Sequence, residues 1–225
     1  MQKRKFKRTA VAIALAFAAS GGMIGARAAV LMDFEGIADF AQVANFYNNG
    51  LGGNFGVQFS GNLFASIDSS DGGSGNFENE PSPSTAIFAM SETSPAVMDV
   101  PAGFTTGLSF YYASGDKGAG HSVRIYDAIG GAAGGGNLLA TIPLEVTSGT
   151  PICPESDALN FYACWRLASA TFSGIARSVD FDQTYAQAIL YDNVAIAVPE
   201  PSTYALLLAG LAGLAGIAKR RGRIG

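Results

Sequence analysis

Residues 121–144 read HSVRIYDAIGGAAGGGNLLATIPL, and this stretch decides the fold class. In its first half, Val123 and Ile125 face one side of an extended chain, while Arg124 and Tyr126 face the other side. A glycine-rich segment, 129–137, separates this run from a second apolar run. The segment is not a phosphate-binding loop, because it lacks a following helix and a Lys-Ser/Thr pair. The stretch therefore predicts two strands joined by a flexible turn.

Similar short runs continue along the chain, separated by clusters of Gly, Asn, Ser and Asp, and helix signals are scarce. The runs predict strands at 30–34, 56–60, 63–67, 86–90, 96–100, 107–113, 121–128, 138–145, 161–173, 177–182 and 188–197. About ten short strands are typical of two packed antiparallel sheets. We therefore expect an all-β fold, a two-sheet, jelly-roll-like β-sandwich over residues 29–197.

The start of the chain has the pattern of an export signal. Five of the first eight residues are Lys or Arg, an apolar run covers 10–19, and Ala26-Arg27-Ala28 is a small-x-small sequence. A buried N-terminal helix does not account for these cations. The pattern predicts a signal helix over residues 1–28, removed by signal peptidase after Ala28.

The end of the chain combines three features in order. Pro199-Glu200-Pro201 comes first, an apolar stretch at 204–218 follows, and four cations lie within 219–223. The stretch is shorter than the roughly 20 residues of a full membrane span, and its basic end should stay cytoplasmic. Residues 198–225 are therefore predicted to form a segment with a short hydrophobic helix that holds the precursor in the inner membrane.

This order of motif, helix and basic end resembles the PEP-CTERM sorting signal of Gram-negative bacteria. The resemblance implies recognition by an exosortase, a membrane cysteine-type transpeptidase, with processing near Pro199, Glu200 and Pro201. It also implies an organism that makes extracellular polysaccharide. The mature protein is then expected at the cell surface or in the extracellular matrix.

Most of the predicted sandwich also resembles a passenger domain that recurs in PEP-CTERM proteins. The resemblance is carried by DFEGI at 33–37, NFYNNGLGGNFGVQFSGN at 45–62, residues 122–144, and FSGIARSVDF with ILYDNVAI within 172–196. It implies a jelly roll like that of carbohydrate-binding modules. The family has no agreed molecular activity that could be transferred to this chain.

The net charge of the predicted mature domain restricts the partners that this domain can bind. Residues 29–198 contain four basic residues against 17 acidic ones, a net charge of −13. Such a surface repels nucleic acid and anionic lipid, and it leaves many carboxylates available to hard cations. We therefore expect no nucleic-acid partner.

The two cysteines, Cys153 and Cys164, predict one disulfide. An even cysteine count in an exported chain is typical of a disulfide, and a bridge over a loop this short would stabilise the fold by roughly 3 kcal/mol. The alternative is a two-cysteine metal site, which is disfavoured because no His or third Cys lies nearby.

The inventory of reactive residues predicts that the protein is not an enzyme. A zinc site needs three or four His or Cys ligands, and His121 is the single histidine of the chain. The sequence also lacks a nucleophile elbow of the Gly-x-Ser-x-Gly type in a strand-to-helix setting. Two carboxylates of a glycan hydrolase stay open as an alternative, because acidic residues are plentiful.

Calcium is the most specific chemical hypothesis for the acidic residues. Asp33 and Glu35 alternate at the end of the first strand, and Asp192 lies in the last strand. Because the first and last strands of a jelly roll are often neighbours, these carboxylates can converge on one hard cation. Solvated charges at strand ends are the alternative reading. Asp68, Asp71 and Glu78 form a second, weaker set, since their spacing is not that of an EF-hand.

Sugar binding would need exposed aromatic rings. Phe46 and Tyr47 lie in a predicted loop, and Tyr111 and Tyr112 are adjacent in a strand, so that one of the two faces outward. A glycine-rich turn without a site is the alternative for the first pair. Trp165, beside Cys164, is expected to pack in the core.

Together these patterns predict an exported, exosortase-sorted and non-catalytic matrix or surface protein that associates with extracellular polysaccharide. A purely structural or adhesion component without a sugar site remains an alternative, as does a carboxylate-dependent glycan hydrolase. The only cofactor expected is a structural Ca²⁺.

Overall fold

The computed structural model describes residues 27–115, 120–148, 162–181, 184 and 186–199. Within these ranges it contains eleven β-strands and two short 3₁₀ helices, Ser69–Asp71 and Gly131–Gly134. The strands are β1 Arg27–Met32, β2 Asn48–Gly50, β3 Gly53–Asn54, β4 Gln58–Phe59, β5 Leu63–Ile67, β6 Thr85–Ala89, β7 Val97–Ser114, β8 Ser122–Tyr126, β9 Leu138–Pro143, β10 Arg166–Asp180 and β11 Ile189–Pro199. The all-β prediction is confirmed.

Two of the predicted strand boundaries are bends inside longer strands. The predicted strands 96–100 and 107–113 belong to one strand, β7, and parts of the predicted strands 161–173 and 177–182 are joined in β10, which begins at Arg166 and ends at Asp180. At the bend of β7, Gly103 has φ +77° and lies so close to β10 that a Cβ there would be 2.4 Å from Ile175 Cγ2. The predicted breaks between strands therefore correspond to bulges, at which β7 and β10 change direction together.

The bends create two packed layers. Strand pairing runs in the order β5-β6-β11-β7-β10-β8-β9, with β1 on β11 and β4 on β7. We call layer A the group of β5, β6, β11 and β1 with the second half of β7 and the first half of β10. Layer B contains β4, β8 and β9 with the remaining halves of β7 and β10. This arrangement confirms the predicted two-sheet sandwich.

The main core fills the space between the layers. Aromatic rings from both layers meet there edge to face, such as Phe110 with Phe181 and Phe181 with Tyr191, whose ring centroids lie 6.3 and 4.8 Å apart. Such pairs add about 0.5–1.5 kcal/mol each beyond the burial of their area. The contacts hold the ends of β10 and β11 in fixed positions.

Layer A carries a second apolar cluster on the face opposite the main core, which we call its outer face. Ile87 and Ala89 of β6 point into the main core, whereas Phe88 points to the outer face with Leu190. This face is covered by Phe77, Tyr162 and Trp165. Trp165 packs edge-on against Phe77, so it is a packing residue, as predicted.

The first and last strands are neighbours. In the antiparallel pair of β1 and β11, Val30 lies opposite Ile196, and Met32 lies opposite Val194. The predicted signal helix, except for its last two residues, and the predicted hydrophobic helix lie outside the described residues. Within the described ranges, no helix has the length and apolar character needed to cross a bilayer.

Candidate functional site

Two acidic side chains converge on the hydroxyl of Ser82. Asp192, in β11, is completely buried, and Glu35 follows β1 by three residues. The Ser82 hydroxyl lies 2.8 Å from both carboxylate oxygens of Asp192 and 3.2 Å from Oε1 of Glu35. The Ser82 main-chain N–H donates to Asp192 Oδ2 at 2.8 Å. The structure thus brings together two of the three residues predicted for calcium.

Glu35 is held by the segment that leads into β6. Its Oε1 accepts hydrogen bonds from the main-chain N–H groups of Ser84 and Thr85, at 3.0 and 2.8 Å. The hydroxyls of the same two residues lie 3.1 and 3.3 Å from its Oε2. The carboxylate is therefore fixed in orientation.

Asp33 takes part through its main chain. Its carbonyl oxygen lies 3.1 Å from the Ser82 hydroxyl, whereas its carboxylate Oδ1 lies 3.4 Å from the Tyr47 hydroxyl. The main-chain N–H of Glu35 also donates to this Oδ1, at 3.3 Å. The prediction of a third carboxylate is therefore corrected, because Asp33 offers a carbonyl oxygen to the cluster.

The donor set of this cluster fits a hard cation. The carbonyl of Thr85 also lies 3.3 Å from the Ser82 hydroxyl, so five oxygen atoms surround this hydroxyl. The hydroxyl has a single proton and cannot donate to all of them. No described Lys or Arg forms an ion pair with Asp192 or Glu35. An oxygen-only set with two carboxylates is the chemistry that Ca²⁺ prefers.

Burial raises the pKa of Asp192 to about 6, although hydrogen bonds from the N–H groups of Ser82 and Asn193 act in the opposite direction, and the charge of Glu35 raises it further.

The backbone on either side of this cluster is strained. Phe34, between Asp33 and Glu35, has φ +62°, and Asn193 has φ +50°. Left-handed backbone in a bulky residue such as Phe34 is uncommon and concentrates at functional sites.

A second acidic group differs from its predicted form. Carboxylate oxygens of Asp68, Asp71 and Glu80 lie within 4.8 Å of one another. Glu80 takes the place predicted for Glu78, whose main-chain carbonyl accepts a hydrogen bond from the Trp165 indole. Burial raises the pKa of Glu80 to about 7, and the charges of Asp68 and Asp71 add to that shift.

Two of the four aromatic residues predicted to stack on sugars lie in the core. Tyr47 and Tyr112 are only 2% and 4% exposed, so their rings have no free face, and the prediction is wrong for them. Phe46 packs edge-on against Tyr47, and a Cβ at Gly52 would lie 2.4 Å from its ring. The glycine-rich segment there forms the tight β2–β3 turn over Phe46. Tyr111 is half-buried on the outer face.

A cavity of about 550 Å³ lies on the outer face of layer A. Aromatic, hydroxyl and amide groups line it, together with small residues: Phe40, Ser66, Ser74, Gly75, Asn76, Phe77, Phe88, Tyr162, Ala186, Gln187, Ala188 and Leu190. Its volume is within the range of small-molecule sites, about 300–1,000 Å³. No sequence pattern predicted this site, because its described walls come from six separate parts of the chain.

Phe40 forms one wall of the cavity and is 48% exposed. Its ring packs edge-on against Phe88 with centroids 5.7 Å apart, and its backbone has φ +54°. The main-chain N–H of Phe40 donates to Ala65 O at 2.9 Å, and the neighbouring Asp39 accepts from the N–H of Ile67 and the hydroxyl of Ser74. The one signal available in the sequence was an aromatic residue in a loop, which does not show whether the ring is exposed.

Polar groups complete the walls. Gln187 has φ +61°, and its carbonyl accepts a hydrogen bond from the Tyr162 hydroxyl at 2.8 Å. The Asn76 side chain is exposed and forms no hydrogen bond with a described residue. Ser66 is only 5% exposed, and strand alternation points its side chain away from the main core.

Two other predicted features depend on residues outside the described ranges. Cys153 lies outside the described residues, so the disulfide between Cys153 and Cys164 stays a prediction. Glu200 and Pro201 are also outside, and Pro199 is the last residue of β11. His121 is buried, at 3% exposure.

Comparison with solved structures gives distant similarities. The K2 cleaved adhesin domain of Lys-gingipain is 11% identical, with a TM-score of 0.47 over 75% of this chain and 99% of that chain. The K1 cleaved adhesin domain of Lys-gingipain from Porphyromonas gingivalis W83 is 12% identical, with a TM-score of 0.40 over 77% and 99%. CsCBM6-3 from Clostridium stercorarium, in complex with cellobiose, is 15% identical, with a TM-score of 0.33 over 75% and 93%.

Sequence comparison identifies the C-terminal segment. No curated protein matches the chain. The family model of the PEP-CTERM protein-sorting motif matches residues 197–223. This match agrees with the Pro-Glu-Pro, apolar stretch and basic cluster found in the sequence. The chain therefore carries a PEP-CTERM protein-sorting motif, which indicates an exported protein that is sorted to the cell surface and implies processing by an exosortase.

Proposed function

We propose that this protein is a non-catalytic component of the cell surface or extracellular matrix that binds extracellular polysaccharide through its β-sandwich. The observation that carries the proposal is the composition of the outer-face cavity. The described residues of its lining combine aromatic rings with hydroxyl and amide groups, and none of these residues is Asp, Glu, His, Lys or Arg. Such residues support binding of a polar, ring-shaped ligand.

The sorting motif supports the proposed location. The matched residues 197–223 begin within β11, which ends at Pro199. The motif therefore follows the sandwich without an intervening linker. A precursor held by the segment beyond residue 199 would present the sandwich outside the inner membrane, where a Gram-negative cell assembles its matrix.

We further propose one calcium ion as a structural cofactor. Glu35 and Asp192 would bind it with their carboxylates, and Asp33 and Thr85 would contribute carbonyl oxygens. The ion would neutralise charges that folding brings together. Its role would be to hold β1, β11 and the segment before β6 in place.

A second candidate function is glycan hydrolysis, and Glu80 favours it. Its pKa of about 7 would leave this side chain partly protonated at neutral pH, as a general acid requires, and Asp68 and Asp71 lie beside it. These carboxylates belong to a separate cavity of about 400 Å³.

One experiment separates the candidates. Full-length protein is incubated with exopolysaccharide from the producing organism, and both co-sedimentation with the polysaccharide and release of new reducing ends are measured. Binding without new reducing ends is expected. New reducing ends that disappear in the Glu80→Gln variant would replace the proposal with a hydrolase. Absence of both signals would indicate a structural or adhesion component without a sugar site.

A further inference from the structure

We propose that the outer-face cavity is a glycan site for an uncharged sugar chain, with Phe40 as the stacking platform and Ser66, Asn76 and Gln187 as hydrogen-bonding groups. This inference rests on the proposed function and adds the site and the chemical class of its ligand. The aromatic residues predicted from the sequence lie elsewhere in the chain.

The Phe40 ring is placed for stacking. About half of its surface is exposed, while its edge contact with Phe88 fixes its orientation at the cavity wall. The apolar face of a pyranose ring packs against such an aromatic face, because both surfaces lose contact with water. Exposed aliphatic residues elsewhere, such as Leu51 at 92% exposure, offer no ring.

Three polar side chains of the cavity, those of Ser66, Asn76 and Gln187, are available to a ligand. The Ser66 hydroxyl is nearly buried, yet none of its possible partners among the described residues forms a hydrogen bond with it. Asn76 has an exposed amide with no described partner, and among the described residues the side chain of Gln187 makes one long contact, 3.6 Å from Nε2 to Met90 Sδ. Amides and hydroxyls that both donate and accept match the hydroxyl groups of a sugar.

Backbone strain supports a functional reading of the same residues. Phe40 and Gln187 have left-handed φ values, although neither is glycine, and both line the cavity. Such conformations are uncommon in residues other than glycine and occur preferentially at ligand sites.

The charge around the cavity selects an uncharged ligand. Among the described residues of the lining there is no cation that could pair with a uronate or sulfate group. The carboxylate of Asp39 lies at the cavity wall, where it accepts a hydrogen bond from the Ser74 hydroxyl. Residues 29–198 have a net charge of −13. An anionic polysaccharide would be repelled, so a neutral hexose or pentose polymer is the expected ligand class.

The test is affinity electrophoresis of the full-length chain in native gels. The gels contain a soluble glucan, mannan or xylan, or a polyuronate as the charged counterpart. The wild type should be retarded by at least one neutral polymer and not by the polyuronate. Phe40→Ala should weaken that retardation about tenfold or more, while Phe40→Tyr, which keeps the ring, should retain it. Asn76→Ala should weaken it as well.

Leu51→Ala is the matched control, because Leu51 is exposed on the β2–β3 turn and does not line the cavity. Thermal melting of each variant shows whether it is folded. Retardation that Phe40→Ala and Asn76→Ala leave unchanged would overturn the site while preserving the proposed function. Retardation by the polyuronate alone would overturn the ligand class. No retardation by any polymer would overturn both this inference and the proposed function.

Discussion

Arg27 lies directly opposite Pro199 in the antiparallel pair of β1 and β11. Ala28 is opposite Val198, and Ala29 is opposite Ala197. The predicted signal-peptidase site, after Ala28, and the first proline of the sorting motif are therefore neighbours in one sheet. Cleavage after Ala28 would remove the partners of Val198 and Pro199, and the motif would begin where strand pairing ends.

The first prediction concerns processing at both ends. Intact-mass measurement of the protein released by the producing cell should give a chain that begins at Ala29 and ends near residue 200. Ala28→Asp should block the first cut, because the small-x-small site is lost, and should leave the precursor with both ends attached. Detection of a released, full-length wild-type chain would contradict the prediction.

The second prediction is that calcium stabilises the fold. An ion that binds only the folded state adds about 2.7 kcal/mol at 100 times its dissociation constant. For a domain of this size, the melting temperature should rise by about 5–10 °C. We therefore expect a shift of that size between EDTA and excess calcium in the wild type, and none in Asp192→Asn, since Asp192 supplies two of the five oxygen atoms around the Ser82 hydroxyl.

Asp71→Asn is the matched control for that measurement, because Asp71 is an exposed member of the second acidic group. It should respond to calcium like the wild type. An equal response in wild type and Asp192→Asn would place the ion elsewhere, with Asp68, Asp71 and Glu80 as the next candidates. A wild type that melts at one temperature in both buffers would rule out the cofactor.

The elements of the calcium candidate could be predicted from the sequence, but its contacts could not. The alternation at Asp33 and Glu35 and the adjacency of first and last strands are local or topological rules, and both strands meet as expected. Ser82 is 110 residues away from Asp192 along the chain, and no sequence pattern links them. The turn at Phe34, with φ +62°, also sends the Asp33 carboxylate towards Tyr47, which period-two alternation does not anticipate.

The proposed sugar site could not be predicted from the sequence either, for a different reason. Aromatic residues were chosen from the sequence by their position in loops or outward strand positions, yet the Tyr47 and Tyr112 rings fill the core. Burial is decided by how the layers pack, and sequence spacing does not contain that information. Phe40 has the same local appearance as Phe46, and only the fold distinguishes the exposed ring from the covered one.

The third prediction concerns pH in the absence of calcium. The pKa of Asp192 is raised from 3.8 to about 6, so the folded state binds a proton more tightly than the unfolded chain. The stabilisation by this proton is complete below about pH 4 and is lost as the pH rises through about 6, which amounts to about 3 kcal/mol at most. In EDTA, the difference in unfolding free energy between Asp192→Asn and the wild type should therefore increase from pH 4 to pH 7 in favour of the variant. A difference that is constant over this range would show that Asp192 has an ordinary pKa.

The fourth prediction concerns Tyr47, whose hydroxyl has a structural function. It accepts a hydrogen bond from the main-chain N–H of Phe34 at 2.6 Å and lies 3.4 Å from Asp33 Oδ1. Burial raises the pKa of this phenol, so it stays protonated and remains a donor. Tyr47→Phe keeps the ring but leaves the buried N–H without its acceptor, at a cost of about 1–3 kcal/mol. The melting temperature should fall by about 2–10 °C, and binding to a neutral polysaccharide should be unchanged at temperatures where the variant is folded.

Tyr111→Phe is the control, because Tyr111 is half-buried on the outer face and its hydroxyl has no described partner. The unfolding free energy of this control variant should differ from that of the wild type by less than about 0.5 kcal/mol. If Tyr47→Phe melts like the wild type, its hydroxyl does not support the turn at Phe34. If the variant loses polysaccharide binding while fully folded, Tyr47 belongs to a ligand site.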